Sequence, residues 1–197
     1  MKWFLLVVFA YLLGSVPCGV VVARVLGQAD PRGGGSGNIG ATNVVRTAGK
    51  PAGALTLMGD VLKGLLPTLW AASSLVSPWA IATVGLAAYL GHLFSAYLGF
   101  KGGKGVATGL GVFLGLAPGG VLMAAGVFGV VAWKSCRVSL ASLSAAAALP
   151  LLLAVLRAPL AYVVLALVVG GLSFWKHSAN IQRLLDGTEN RLDQKTA

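Results

Sequence analysis

The hydrophobic positions of this chain fall in long blocks, not in the alternating or three-to-four pattern of soluble strands and helices. Apolar runs cover residues 3–23, 52–72, 79–97, 106–132, 139–156 and 160–175. About 20 apolar residues suffice for a helix to cross the ~30 Å hydrocarbon core of a bilayer. Polar residues gather between the runs, at 27–50, 101–105 and 133–137, and again from 176 onward. This pattern predicts an all-α fold, a polytopic membrane helix bundle. The first run is read as a retained span and not as a cleaved signal, because it is long, Lys2 alone precedes it, and Val16-Pro17-Cys18 is a poor cleavage site. Pro17 predicts a kink there.

Two runs carry internal punctuation. Asp60 and Lys63 interrupt the second run; three residues apart, they can pair on one helical face. A pair at such depth must face protein or water, and its reading is structural, holding helices in register. His92, near the end of the third run, is likewise read as structural. The run 106–132 is too long for one simple span and is broken by Ala117-Pro118-Gly119-Gly120. One tilted helix there gives six spans in total, whereas two short helices of about 13 residues, roughly 20 Å each, give seven.

Charge chooses between them. The 197 residues are 57% hydrophobic and 10% charged, against roughly a quarter charged in soluble domains. That length suits a single membrane domain, residues 1–197. The net charge of +10 would suggest nucleic acid in a soluble protein; in a membrane protein it first marks cytoplasmic loops, and no nucleic-acid partner is expected. With seven spans, Arg24, Arg32, Arg46, Lys50, Lys101, Lys104, Lys134, Arg137, Lys176, Arg183, Arg191 and Lys195 share one side, opposite Lys2 and Arg157. Six spans would move the 133–137 loop and the tail outside. The positive-inside rule therefore predicts seven transmembrane helices, two of them short, with the N-terminus outside and the C-terminus cytoplasmic. Cys18 and Cys136 are the only cysteines, and neither suggests a disulfide framework or a metal site.

Chemistry gathers in the polar segments. Lys101-Gly102-Gly103-Lys104-Gly105 puts two lysines and three glycines between apolar runs. Glycines bring backbone N–H groups close to a ligand, and a helix starting after Gly105 would add the partial positive charge of its first turn. Such a segment suits an anion, most simply a phosphate; its other reading is a membrane-face loop whose lysines only set orientation. The 27–50 insert carries Ser36, Asn38, Thr42, Asn43 and Arg46 among glycines that rule out a helix through its first part. A helical turn from Ala41 to Arg46 would place Thr42 and Arg46 on one face. Ser36 is either a hydroxyl for alcohol chemistry or a turn former. Ser139 and Ser142 either face this chemistry or bond their own helix. His177 and Asn180 share one side of a helix starting there, as site residues or as interfacial and capping ones. The seven-span topology brings all these segments to one face.

Read together, the motifs resemble those of the bacterial acyl-phosphate:glycerol-3-phosphate acyltransferases. Gly35-Ser36-Gly37-Asn38-Ile39-Gly40-Ala41-Thr42-Asn43 with Arg46 and Gly49 is similar to the first family motif. Gly91-His92, Phe94 and Phe100-Lys101-Gly102-Gly103-Lys104-Gly105-Val106-Ala107-Thr108 is similar to the second. His177, Asn180-Ile181, Arg183-Leu184 and Gly187-Thr188-Glu189 is similar to the third. Ser95 stands where the family usually has proline, and Gly33-Gly34 precede the first motif; both bear only on local loop shape.

The resemblance implies an enzyme of the bacterial inner membrane with its active site facing the cytoplasm. It would move a fatty acyl group from acyl phosphate to the 1-hydroxyl of glycerol 3-phosphate, giving 1-acyl-glycerol 3-phosphate and inorganic phosphate, the first step of phospholipid synthesis. It implies catalytic roles for Ser36, Arg46, Lys104, His177 and Asn180. Phosphate binding would fall to Gly37, Asn38, Thr42, Asn43, Lys101, Gly102, Gly103, Gly105 and Ser142, and a structural role to Glu189. Its partners would be the two substrates, membrane lipid and, functionally, the enzyme that makes acyl phosphate. No cofactor and no metal are called for, since an acyl phosphate is already activated and proximity and charge stabilisation suffice. The expected mechanism is direct attack by the glycerol hydroxyl, with Lys104 and Arg46 stabilising phosphate charge, Ser36 orienting the donor, and either a donor phosphate oxygen or His177 taking the proton. The phosphate oxygen is favoured because no carboxylate is evident to orient His177. A transporter of phosphate-containing solutes would instead want ionisable residues at mid-membrane and access from both sides; beyond Asp60 and Lys63, the charge lies at one face.

Overall fold

A computed structural model describes residues 1–192; Lys195, counted above on the cytoplasmic side, lies outside them. The described residues are helical, with short connections and no strand. They fall into two compact units, Met1–Leu116 and one that opens at Ala117.

The first unit contains α1 (Lys2–Gly14), α2 (Cys18–Val25), α3 (Ala41–Ser74), α4 (Pro78–Leu93) and α5 (Val106–Leu116), with single 3-10 turns at Pro31–Gly33 and Ala96–Leu98. The first apolar run is two helices bent by 47°. The break falls at Ser15–Pro17, where proline supplies no N–H to continue the ladder. Helix α3 begins eleven residues before its apolar run, and Gly49 (φ 85°, ψ 170°) kinks it just ahead of Pro51. The stretch before the kink folds back until Val45 lies against Gly53.

Packing in this unit relies on small residues. A side chain at Gly14 or Gly91 would strike the backbone of α4 or α1, and one at Gly64 or Gly111 would strike the backbone of α5 or α3. Such approach is how membrane helices gain van der Waals contact without a hydrophobic driving force between them. Gly64 lies against Thr108 and Gly115 against Thr68, so α3 and α5 run parallel there and their positive ends point the same way. Polarity is inside out: Thr56, Asp60, Lys63, Thr68, His92 and Thr108 are buried, whereas Phe4, Leu5, Leu66, Trp70 and Trp79 are exposed. Large exposed apolar surface of this kind fits contact with lipid.

The second unit contains α6 (Pro118–Ser135), α7 (Val138–Val155), α8 (Leu160–Lys176) and α9 (Ser178–Leu185). The run 106–132 is divided at Ala117, as its Pro-Gly signal predicts, but into helices of 11 and 18 residues rather than two of similar length. Trp133–Ser135, expected in a loop, is the last turn of α6. Nothing in that stretch breaks a helix, and termination waits for Cys136, which takes a left-handed conformation (φ 54°). Helix α9 turns 63° away from α8 and opens the polar tail. Among the described residues, three helices are long and apolar enough to cross a membrane, or up to five crossings if each bent pair counts as one.

Candidate functional site

The first polar insert is organised around Asn43, in the first turn of α3. Its buried carboxamide donates to the carbonyls of Pro31 (2.8 Å), Gly34 (3.2 Å) and Asn38 (2.8 Å) and accepts from the Ser36 N–H (2.8 Å). All four bonds go to the loop's own backbone, so Asn43 is committed to holding the loop and not to a ligand. Asn38 is engaged in part, its Oδ1 accepting from the Gly40 N–H at 2.8 Å. Gly35 and Gly37 sit at positive φ (59° and 68°), and a side chain at Gly35 would collide with Asn43. The loop therefore wraps the carboxamide tightly and leaves Ser36 exposed at its rim. Thr42 is exposed and Arg46 half-buried on the following turn, in the i, i+4 relation the spacing predicts. At the loop's start Asp30 and Arg32 pair at 2.6 Å; the guanidinium hydrogen bonds hold the Asp30 carboxyl below its ordinary range.

The Lys101–Gly105 segment docks on the end of α4. The Gly102 N–H donates to the Leu93 carbonyl (3.2 Å) and the Gly103 N–H to the His92 carbonyl (3.0 Å). The Gly/Lys pattern predicts that these two N–H groups face an anion; the structure engages them with the open carbonyls of α4 instead. Gly105 is at φ 80°, and a side chain there would strike Tyr89 and Leu93. Helix α5 starts at the next residue, so its first N–H groups, which lack intrahelical partners, follow directly on Lys104. Lys101 is exposed and Lys104 half-buried. Among the described residues neither Arg46 nor Lys101 forms an ion pair with a carboxylate.

Beneath this segment lies a buried polar chain. Lys63 Nζ is 2.8 Å from Asp60 Oδ1 and donates to the Val16 carbonyl at 2.7 Å. His92 Nδ1 lies 3.6 Å from the same carboxylate oxygen and 3.1 Å from Thr108 Oγ1. Ser95 Oγ donates to the Ser15 carbonyl at 2.5 Å. The carbonyls opened by the α1–α2 break are thus answered by Lys63 and Ser95, as the bilayer interior demands. The i, i+3 spacing of Asp60 and Lys63 reveals their pairing from sequence; nothing in one dimension joins them to His92 and Thr108.

In the second unit, His177 ends α8 and precedes α9, and is buried. Its Nδ1 lies 2.7 Å from the Ser173 carbonyl, which can only accept, so Nδ1 carries the proton. A backbone carbonyl therefore does the orienting for which no carboxylate was evident. Asn180 Nδ2 donates to Glu189 Oε1 at 2.6 Å, and Arg183 Nε to Glu189 Oε2 at 2.7 Å. Burial pushes the Glu189 carboxyl up, but the neighbouring Ser139 hydroxyl and the Asn180 and Arg183 donors outweigh it and hold the group below its ordinary range. Ser139 Oγ is near enough to bias the carboxylate without the geometry of a formed hydrogen bond. The segment is closed by the Leu192 N–H on the Cys136 carbonyl at 2.7 Å. Ser142 is buried on α7.

Comparison with known proteins gives one result throughout. A family model described as "Glycerol-3-phosphate acyltransferase" matches residues 4–187. The glycerol-3-phosphate acyltransferase of Geobacter metallireducens is 54% identical over 187 residues, 95% of this chain and 96% of that one. That of Geobacter sulfurreducens is 51% identical over 189 residues, with shares of 95% and 96%. The crystal structure of PlsY (YgiH), an integral membrane glycerol 3-phosphate acyltransferase, in its glycerol 3-phosphate form, is 44% identical, with a TM-score of 0.93 over 97% of this chain and 96% of that one. Its lysophosphatidic acid form gives 0.90 at the same identity, over 97% and 95%.

Proposed function

The chain belongs to the glycerol-3-phosphate acyltransferase family, and we propose that it takes its acyl group from an acyl phosphate and places it on the 1-hydroxyl of glycerol 3-phosphate. The products are 1-acyl-glycerol 3-phosphate and inorganic phosphate, and the step opens bacterial phospholipid synthesis. The observation that carries this reading is that, among the described residues, Arg46 and Lys101 have no carboxylate at ion-pair distance, while Lys104 leads into the open N–H groups of α5. Both substrates bear phosphate, and fixed N–H donors with nearby cations are what phosphate recognition requires.

The glycerol hydroxyl attacks the acyl carbon directly. The C–O bond to phosphate breaks as the ester forms, and a phosphate oxygen of the donor takes the hydroxyl proton. Arg46 grips phosphate with two parallel donors, Lys104 supplies a point charge, and Ser36 orients the donor. Gly37, Thr42, Lys101, Gly105 and Ser142 complete the phosphate contacts. Asn43, Gly102 and Gly103 act through loop shape, because their polar groups already serve the backbone, whereas Asn38 uses only its Oδ1 there and offers its Nδ2 to phosphate. From the third motif His177, with Asn180 as its neighbour, is the alternative acceptor should the donor phosphate oxygen not take the proton, and Glu189 is structural. The reading takes residues 1–197 as one domain of seven crossings, N-terminus outside and C-terminus in the cytoplasm. The reaction faces the cytoplasm at the inner membrane, the acyl chain lies among lipid-facing apolar side chains, and the enzyme that makes acyl phosphate is a functional neighbour.

Purified protein in detergent, given palmitoyl phosphate and radiolabelled glycerol 3-phosphate, is expected to form labelled lysophosphatidate, and Lys104→Ala is expected to lose it. No product from the unmodified protein overturns the assignment. Acid quench during turnover is expected to trap no acyl group on the protein; acyl label on Ser36 would replace direct attack by a covalent route.

A further inference from the structure

We infer that Asp60 and His92 are positioning residues for the Lys104 segment, and that through it they set the affinity for one phosphate-bearing substrate; this rests on the substrate role proposed above for that segment. His92 touches the segment in two ways. Its carbonyl accepts the Gly103 N–H at 3.0 Å, and its ring edge at Nε2 lies so close to Gly103 that no side chain fits there. The other ring nitrogen, Nδ1, is 3.1 Å from Thr108 Oγ1, in the first turn of α5. One imidazole therefore grips the chain both before and after Lys104, and any rotation of the ring moves the two anchor points together.

From below, the ring is biased by a charge contact longer than a hydrogen bond. Asp60 Oδ1 lies 3.6 Å from Nδ1, and Asp60 is held in turn by Lys63, whose ammonium is tied to the Val16 carbonyl. All of these side chains are 3% exposed or less. Burying an ion pair is not a cheap route to stability, because apolar residues of similar volume often serve as well or better. What a buried charge pair supplies is a directional field, which favours one orientation of a neighbouring ring. Here that ring is the floor on which Gly103 rests, one residue from Lys104.

The test is steady-state kinetics in detergent, with KM and kcat measured separately for glycerol 3-phosphate and acyl phosphate. Asp60→Asn and His92→Asn are each expected to raise the KM of one substrate about tenfold and leave kcat within about threefold. Asparagine keeps a polar group near Thr108 but removes the ring edge facing Gly103. Gly103→Ala alone should raise the same KM, and Gly103→Ala with His92→Asn should be no worse than His92→Asn alone, since the contact that alanine makes is then gone. That non-additivity is the signature of direct coupling. Unchanged KM values with lowered kcat or thermal stability, or independent multiplication in the double variant, overturn the inference. If Asp60→Asn does not elute as folded protein on gel filtration, the Gly103–His92 cycle decides alone. Lys104→Ala in the same assay separates the claims: full activity there sinks the substrate role of the segment, whereas lost activity with unmoved Asp60 and His92 variants sinks only the positioning role.

Discussion

Asn43 shows how one side chain can shape a site without touching a ligand. Replacing it with alanine strips four hydrogen bonds from the loop that carries Ser36. A displacement of about 1 Å in a positioned group can cost about a hundredfold in rate, so Asn43→Ala is expected to lower kcat/KM by about that factor. Steady-state assays beside thermal unfolding check this, and a fall in melting temperature without a fall in activity would contradict it. Glu189 makes a prediction with a pH sign. Its carboxyl is held below the ordinary value of 4.5, so the folded state gains stability from the charged form. That gain is present above the ordinary carboxylate range and fades as pH falls through the lowered value. Unfolding of Glu189→Gln against the unmodified protein should show a gap at neutral pH that narrows on acidification. Neither role is legible in one dimension. An asparagine in a Gly-rich segment signals a turn, but which carbonyls it will meet depends on how the loop closes.

At the scale of elements, the buried ion pair joins the break between α1 and α2 to α3, α4 and α5. Lys63→Met would leave Asp60 charged, buried and short of its partner, at a cost of about 3–5 kcal/mol. Adding Asp60→Asn to Lys63→Met should recover much of that loss, and chemical or thermal unfolding of the single and double variants measures it. The elements themselves were largely written in the apolar runs. Pro17 announces the first break, and Pro118 with its glycines announces the division of the run 106–132. A boundary that no residue type marks is not legible in one dimension. Helix α6 continues through Trp133–Ser135 because nothing there stops it, whereas the turn expected at Ala41–Arg46 does form and opens α3.

For the molecule as a whole, the seven-crossing topology is open to direct labelling. Val76, between α3 and α4, is 99% exposed and falls outside the cell in that topology, whereas Gln28 and Lys101 fall inside. In a background of Cys18→Ala and Cys136→Gly, the glycine chosen to suit the left-handed backbone at that position, Val76→Cys should react with an impermeant maleimide in intact cells. Gln28→Cys and Lys101→Cys should react only after the membrane is opened, and the reverse pattern would invert the topology.

The α1–α2 break also governs how the protein is made. As a ribosome feeds the first hydrophobic segment into the bilayer, the carbonyls of Ser15 and Val16 arrive long before the Lys63 ammonium and the Ser95 hydroxyl that answer them. Until then that segment is an unfinished joint, and its maturation must wait for residues translated much later.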